Sequence, residues 1–233
     1  MSLPTAATLA FAMDHARARD AVQAPADFPA LEARLLELDR RVVRVESAAP
    51  DRATYLRRPD LGRRLSGDSR ARLERQARKP WDLAIVVGDG LSSQALEHAP
   101  GLIASLAPAL ERDGLALAPL VLARQARVAL GDEVCRTLRA RMVLVLIGER
   151  PGLTSPDSLG AYLTFDPQPG QTDAGRNCVS NIRPAGLPPA AAAKRLAWLI
   201  REARRLGLTG VALKDDSDLD ALERPSPTSP PHG

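Results

Sequence analysis

The sequence predicts an α/β protein: a Rossmann-like, mostly parallel sheet flanked by helices and preceded by a mainly helical N-terminal segment. Three observations lead there. From Trp81 onward, apolar runs of strand length alternate with amphipathic stretches of helix length, the order that builds parallel sheets. One such run, 142–147, is continuously apolar and rich in branched residues, as a strand covered on both faces must be. Aromatic residues make up only 3% of the 233, so the core must come from Ala, Leu and Val, which suits helices packed on a sheet better than an aromatic-rich β-sandwich.

Taken in order, residues 1–7 read as a loose terminus and 8–22 as a short extended entry followed by helix, interrupted by Pro25 and Pro29. Residues 30–38 place Leu31, Leu35 and Leu38 on one helical face; 42–45 reads as a short strand and 47–51 as a loop. Between 54 and 79, Tyr55, Leu56, Leu61, Leu65 and Leu73 recur among many charges, predicting two amphipathic helices with a basic outer face, ended by Pro80. The α/β unit follows as strand 83–87, a helix from Ser92, helix 102–112, strand 117–122, helix 131–138, strand 142–147, strand 159–165 and helix 188–206. Pro188 and Pro189 at its start and Gly207 after its end bound the last helix. The chain thus divides into a helical segment (1–80), a Rossmann-like domain (81–216) and a Pro-rich tail (217–233) expected to be disordered.

Composition excludes several classes. No apolar run is long enough to span a membrane and no signal peptide precedes the domain, so the expected compartment is the cytoplasm, with no membrane partner. Two cysteines support neither a disulfide framework nor a metal site. The net charge of +4 and the clusters Arg57-Arg58, Arg63-Arg64 and 70–79 raise the question of nucleic acid. Asp51, Asp60, Asp68 and Glu74 interleave with those arginines, however, and no RNA-binding aromatic motif is present, so no nucleic-acid partner is expected. Three scattered histidines are too few for acid–base or metal chemistry, and no catalytic or metal-ligating residue is assigned.

Two strand ends carry chemistry. The run 142–147 is stopped by Gly148, Pro151 and Gly152, which puts Glu149 and Arg150 beyond the carboxyl end of a parallel strand, where α/β sheets meet their ligands. Gly88-Asp-Gly-Leu-Ser-Ser93 also follows a strand. It leaves two readings open, a tight turn in which Asp89 or Ser92 caps a helix, or the phosphate loop of a self-contained NAD(P)-dependent oxidoreductase, although Ser93 replaces the third glycine of the dinucleotide fingerprint. On their residue types alone, Val128 could be core, Glu149 could pair with a neighbouring base such as Arg150, and Cys178 could be a small buried hydrophobe.

Gly148-Glu-Arg-Pro-Gly152 and Arg176-Asn-Cys-Val-Ser-Asn-Ile-Arg183, with matching segments at 14–22, 54–64 and 82–92, make the chain similar to the small subunit of ethanolamine ammonia-lyase from about Thr8 to about Asp216. The resemblance implies a subunit of an adenosylcobalamin-dependent lyase that converts ethanolamine to acetaldehyde and ammonia. It places the substrate site and the radical chemistry in a large partner subunit, within a hetero-oligomer holding several copies of each chain. This chain would contribute no catalytic residue but would cover one face of the cofactor, with 1–80 as the docking surface. The implied cofactor contacts are Val128 in Gln125-Ala-Arg-Val128, Glu149 and Cys178. Apolar contact, hydrogen-bond acceptance from corrin amides and close backbone approach are the respective roles open to them. Asp14-His15-Ala16 does not supply the Asp-x-His-x-x-Gly pattern of cobalamin enzymes that ligate cobalt by histidine, so the cofactor is expected base-on. Enteric members carry a longer N-terminal extension linked to packaging in bacterial microcompartments. Its absence before Thr8 leaves the free cytoplasm as the expectation and encapsulation as the alternative.

Overall fold

The structure, a computed structural model, describes residues 22–152 and 155–217 together with Met13 and Asp20. Most of the expected entry helix at 8–22 and nearly all of the Pro-rich tail lie outside the described residues. Strands β1 (Val42–Glu46), β2 (Trp81–Gly88), β3 (Leu120–Arg124), β4 (Ala140–Gly148), β5 (Leu159–Phe165) and β6 (Asn177–Ile182) form one sheet in the order β1-β3-β2-β4-β5-β6. The first four are mutually parallel; β5 runs antiparallel to β4, and β6 antiparallel to β5. The fold is therefore the α/β, mostly parallel sheet that the sequence predicts.

Helices α1 (Phe28–Leu36), α2 (Arg52–Arg57), α3 (Gly67–Glu74), α4 (Ala99–Arg112), α5 (Leu130–Leu138) and α6 (Pro189–Leu206) accompany the sheet. Alternation along the strands sorts their side chains onto two faces. Leu83, Ile85, Val87, Leu144 and Leu146 pack with α1, α4 and α6, while Ala84, Val86, Val143, Val145 and Ile147 pack with α3 and α5. Because both faces are covered, successive residues of β2 from Leu83 and of β4 from Met142 are all buried, which is why those runs read as continuously apolar. Local capping sets the helix ends. Asp27, Asp51 and Ser66 accept from the backbone N–H groups of Ala30, Thr54 and Ser69, and Gly207 adopts φ 71° to close α6.

The structure differs from the sequence expectation at three of its elements, each with a physical cause. Strand β3 begins at Leu120 rather than 117, because Pro119 has no N–H to give the ladder; Leu117 forms only an isolated bridge with Leu83. The helix expected from Ser92 is a 3-10 turn, Ser93–His98, and α4 starts at Ala99 with Pro100 in its first turn, where proline is tolerated. The two helices expected in the basic stretch 54–79 are present as α2 and α3, joined by a 3-10 turn, Leu61–Arg63. Strand β6 was not expected from its mixed pattern, since only Val179 and Ile182 in it are buried. Strand β1 belongs to the segment before residue 80 yet pairs residue for residue with β3, so the sheet runs continuously across that expected boundary.

The β5–β6 hairpin is tied to α5 by a buried ion pair. Arg176 donates through Nη1 and Nη2 to Asp132 Oδ1 and Oδ2 at 2.7 and 2.6 Å, and Nη1 also reaches Thr164 Oγ1 at 2.8 Å. The two side chains are 1% and 9% exposed. Removing one partner strands a charge in the interior, so Asp132→Ala should cost about 3–5 kcal/mol in urea unfolding. The double variant D132L/R176M should recover most of that loss. A cost below about 1 kcal/mol for the single change would show that the pair does not hold the hairpin.

Candidate functional site

The strand order changes direction around β2, with β3 on one side and β4 on the other, and the carboxyl ends of these strands frame a crevice. Its floor is set by a close approach of backbones. After β2 the chain turns at Gly90 (φ 56°), Leu91 N donates to Gly148 O at 2.9 Å, and a Cβ on Gly148 would lie 1.9 Å from Ser92 O. The turn is filled from within, which leaves no cradle for a pyrophosphate. Asp89 accepts from Ala126 N at 3.1 Å and lies 3.7 Å from Arg52, with burial raising its carboxyl pKa. Neither Asp89 nor Ser92 caps the following turn; Ser92 Oγ donates instead to Pro156 O at 2.5 Å.

Above this floor lies an open cleft of about 440 Å³ lined by Tyr55, Gly90, Arg127, Val128, Gly148, Glu149 and neighbours. Helix α2 fixes the wall formed by the β3–α5 turn: the Tyr55 hydroxyl donates to Ala126 O at 2.9 Å, and the Arg127 guanidinium stacks 4.4 Å from the ring centroid. Burial pushes the Tyr55 hydroxyl up to about 12, so it remains a neutral donor. Gln125, left-handed at φ 54°, makes the turn that delivers Arg127 and Val128 to the cleft. A larger groove of about 970 Å³ adjoins along α5; Arg127 and Val128 line both, and Arg63, Arg64, Arg70 and Arg136 line the groove.

Glu149 stands where the sequence places it, just beyond β4. Oε2 accepts from Ser158 Oγ at 2.5 Å and from Asn181 N at 3.4 Å, while Tyr162 Oη lies 3.5 Å from Oε1. A β-bulge aims the Asn181 N–H. The pairs Leu159–Ile182 and Ala161–Val179 leave β6 one residue longer than β5, and Asn181 takes φ 56° there. Cys178 does not line the cleft. It sits directly opposite Tyr162, which does, on the same face of the hairpin. Cys178 is exposed over the strand as a whole. Desolvation of its sulfur raises the thiol pKa, opposed by a hydrogen bond with Tyr162 and supported by the Glu149 and Asp173 carboxylates.

The structure thus gathers Val128 and Glu149 at one cleft and links Cys178 to it through Tyr162. Sequence reasoning did not single out Tyr55, Arg127 or Tyr162. Arg127 adjoins Val128 in the quoted motif, but nothing in spacing alone tells which of the many arginines faces a cleft. Among the described residues, Glu97, His98 and Asp157 come close enough to suggest a metal, with His98 Nε2 3.1 Å from Asp157. Arg183 lies 3.8 Å from the same carboxylate and already supplies positive charge there.

Residues 1–214 match the family model described as ethanolamine ammonia-lyase light chain. The chain belongs to that family. Among its relatives is the ethanolamine ammonia-lyase small subunit of Bradyrhizobium diazoefficiens, 57% identical over 93% of this chain and 84% of the relative. The small subunit of Rhodopseudomonas palustris is 55% identical over 94% and 85%, and that of Xanthomonas campestris pv. campestris 52% over 95% and 83%. The chain is thus a subunit of an ammonia-lyase.

The thiol environments make a direct test. Since the reactive species is the thiolate and its pKa is raised, Cys178 should react with iodoacetamide more slowly than a free cysteine peptide at pH 8, and the rate should climb as pH rises further. Cys135, buried and pushed up to about 12, should stay unmodified in the folded chain. Mass spectrometry after timed alkylation reads both; a Cys178 faster than the peptide at neutral pH would contradict the geometry.

Proposed function

We propose that this light chain acts with a large subunit to convert ethanolamine to acetaldehyde and ammonia, and that its switch-point cleft receives one side of adenosylcobalamin. The observation that carries the reading is the placement of Val128 and Glu149 of the family-type motifs at the one crevice framed by the ends of β2, β3 and β4. The residues fit such a group. Corrin side chains present amide donors and acceptors, and Glu149 Oε1 has only one long internal contact, so it retains acceptor capacity. Among the described residues, Arg127 Nε is buried without a hydrogen-bond partner beside the cleft, which is consistent with a polar group arriving from outside the chain.

The bound cofactor would supply the radical that starts the reaction. The chain's own work is positional. Ser158, Tyr162 and Asn181 orient the Glu149 carboxylate, Val128 gives an apolar wall, and the exposed Cys178 side of the hairpin lets a flat ligand or partner approach the backbone closely. Base-on binding is part of the proposal, since Asp14-His15-Ala16 does not supply the Asp-x-His-x-x-Gly pattern of histidine-ligated cobalamin enzymes. The arginine-rich segment before β2 offers bidentate donors for docking the large subunit in a hetero-oligomer. Among the described residues no helix is long and apolar enough to cross a membrane, and the cytoplasm, free or within a microcompartment, is the proposed location.

Co-expression with a large subunit should yield one complex on size exclusion that forms acetaldehyde only with adenosylcobalamin. Within it Glu149→Ala should raise the cofactor Kd roughly tenfold, the loss of about one charge-assisted hydrogen bond. A folded pair that neither associates nor binds cobalamin would overturn the reading.

A further inference from the structure

We propose that Arg127 is the anion receptor of this cleft, its guanidinium binding the phosphodiester of the cofactor's nucleotide loop; the assignment rests on the cobalamin reading above. Arg127 is half-buried and lines both the cleft and the groove beside it. Its stem is held in place: Arg127 N donates to Gly62 O at 2.8 Å, and a Cβ on Gly62 would lie 2.9 Å from Arg127 Cγ and from the Tyr55 ring, so only glycine lets the side chain pass. Among the described residues the side chain lacks a good acceptor: of its five N–H donors, one makes a long 3.5 Å contact with Tyr55 O, and Nε has no partner.

Nor does any carboxylate neutralise it among the described residues. Arg52, which stacks over the same ring at 4.8 Å, is neutralised by Asp89. Of the acidic residues that line the groove, Asp60 is taken by Arg58, Glu133 by Arg70, and Asp173 lies 3.6 Å from Arg176. Arg63, Arg64 and Arg136 line it without an ion pair among the described residues, which makes the surroundings of Arg127 more positive still. A half-buried cation left in this state is stabilised when a ligand brings the charge, and with Nε enclosed the terminal nitrogens are the donors such a ligand can reach. Cobalamin carries one anionic group, its phosphodiester; the corrin side chains are neutral amides. A carboxylate of the large subunit is the competing source of negative charge.

The test uses the purified two-chain complex and equilibrium dialysis of adenosylcobalamin and of adenosylcobinamide, which lacks the nucleotide loop and its phosphate. Arg127→Met keeps the apolar stem over Tyr55 and removes the charge; Arg127→Lys keeps the charge without the fork. We expect Arg127→Met to weaken cobalamin binding about tenfold to a hundredfold, to leave cobinamide binding within about twofold, and Arg127→Lys to fall between. Equal losses for both corrinoids, or none, in a complex whose melting temperature is unchanged would overturn the assignment. Weakened association of the subunits with unaltered corrinoid preference would move Arg127 to the partner interface. A wild-type complex that binds neither corrinoid would instead overturn the cofactor reading itself. Should Arg127→Met fail to assemble, Arg127→Lys carries the same comparison.

Discussion

The buried Arg176–Asp132 pair is the constraint on which the rest of the site depends. It joins the antiparallel hairpin β5–β6 to α5, two elements that come from different parts of the chain. One end of α5 leads back to Val128 and Arg127, and β6 carries Cys178 and, through its bulge, the N–H aimed at Glu149. A loosened clamp would let the wall and the hairpin drift apart while leaving the parallel half of the sheet intact. A buried ion pair is an expensive way to obtain stability and a good way to fix a geometry, because its two fork-to-carboxylate bonds tolerate little rotation.

The chain also separates two uses of arginine. On the surface, pairs such as Arg58–Asp60 and Arg205–Glu202 are solvated and contribute little. Around α5 the acidic residues are engaged elsewhere, and several guanidinium groups are left facing an open groove. The overall charge of +4 is therefore a poor guide to function, since what distinguishes one region from another is which positive groups have been left without partners.

Much of the fold was legible because it rests on periodicity and local chemistry. The continuous apolar runs of β2 and β4 follow from burial on both faces, and α6 was bounded by Pro188, Pro189 and Gly207. Strand β6 escaped notice because a bulged edge strand with two buried residues has no clean alternation. Of the candidate cleft, the position of Glu149 was legible as the residue following a buried strand. Val128 and Cys178 were named only through resemblance, and the placing of Tyr55, Arg127 and Tyr162 at the cleft was not legible, since it depends on α2, α5 and the hairpin being brought together in space. The Gly88–Ser93 turn shows the reverse case: a pattern that invites a phosphate is closed by contacts with the distant Gly148 and Ala126.

The bulge at Asn181 has an effect beyond the site. Strand β6 is an edge of the sheet, and an edge with a regular row of free N–H and C=O groups is a template on which a second copy can add a strand. The extra residue twists the last part of that row out of register and commits one of its N–H groups to Glu149. The same irregularity that orients the carboxylate thus blunts the edge against strand pairing with a second copy of the chain.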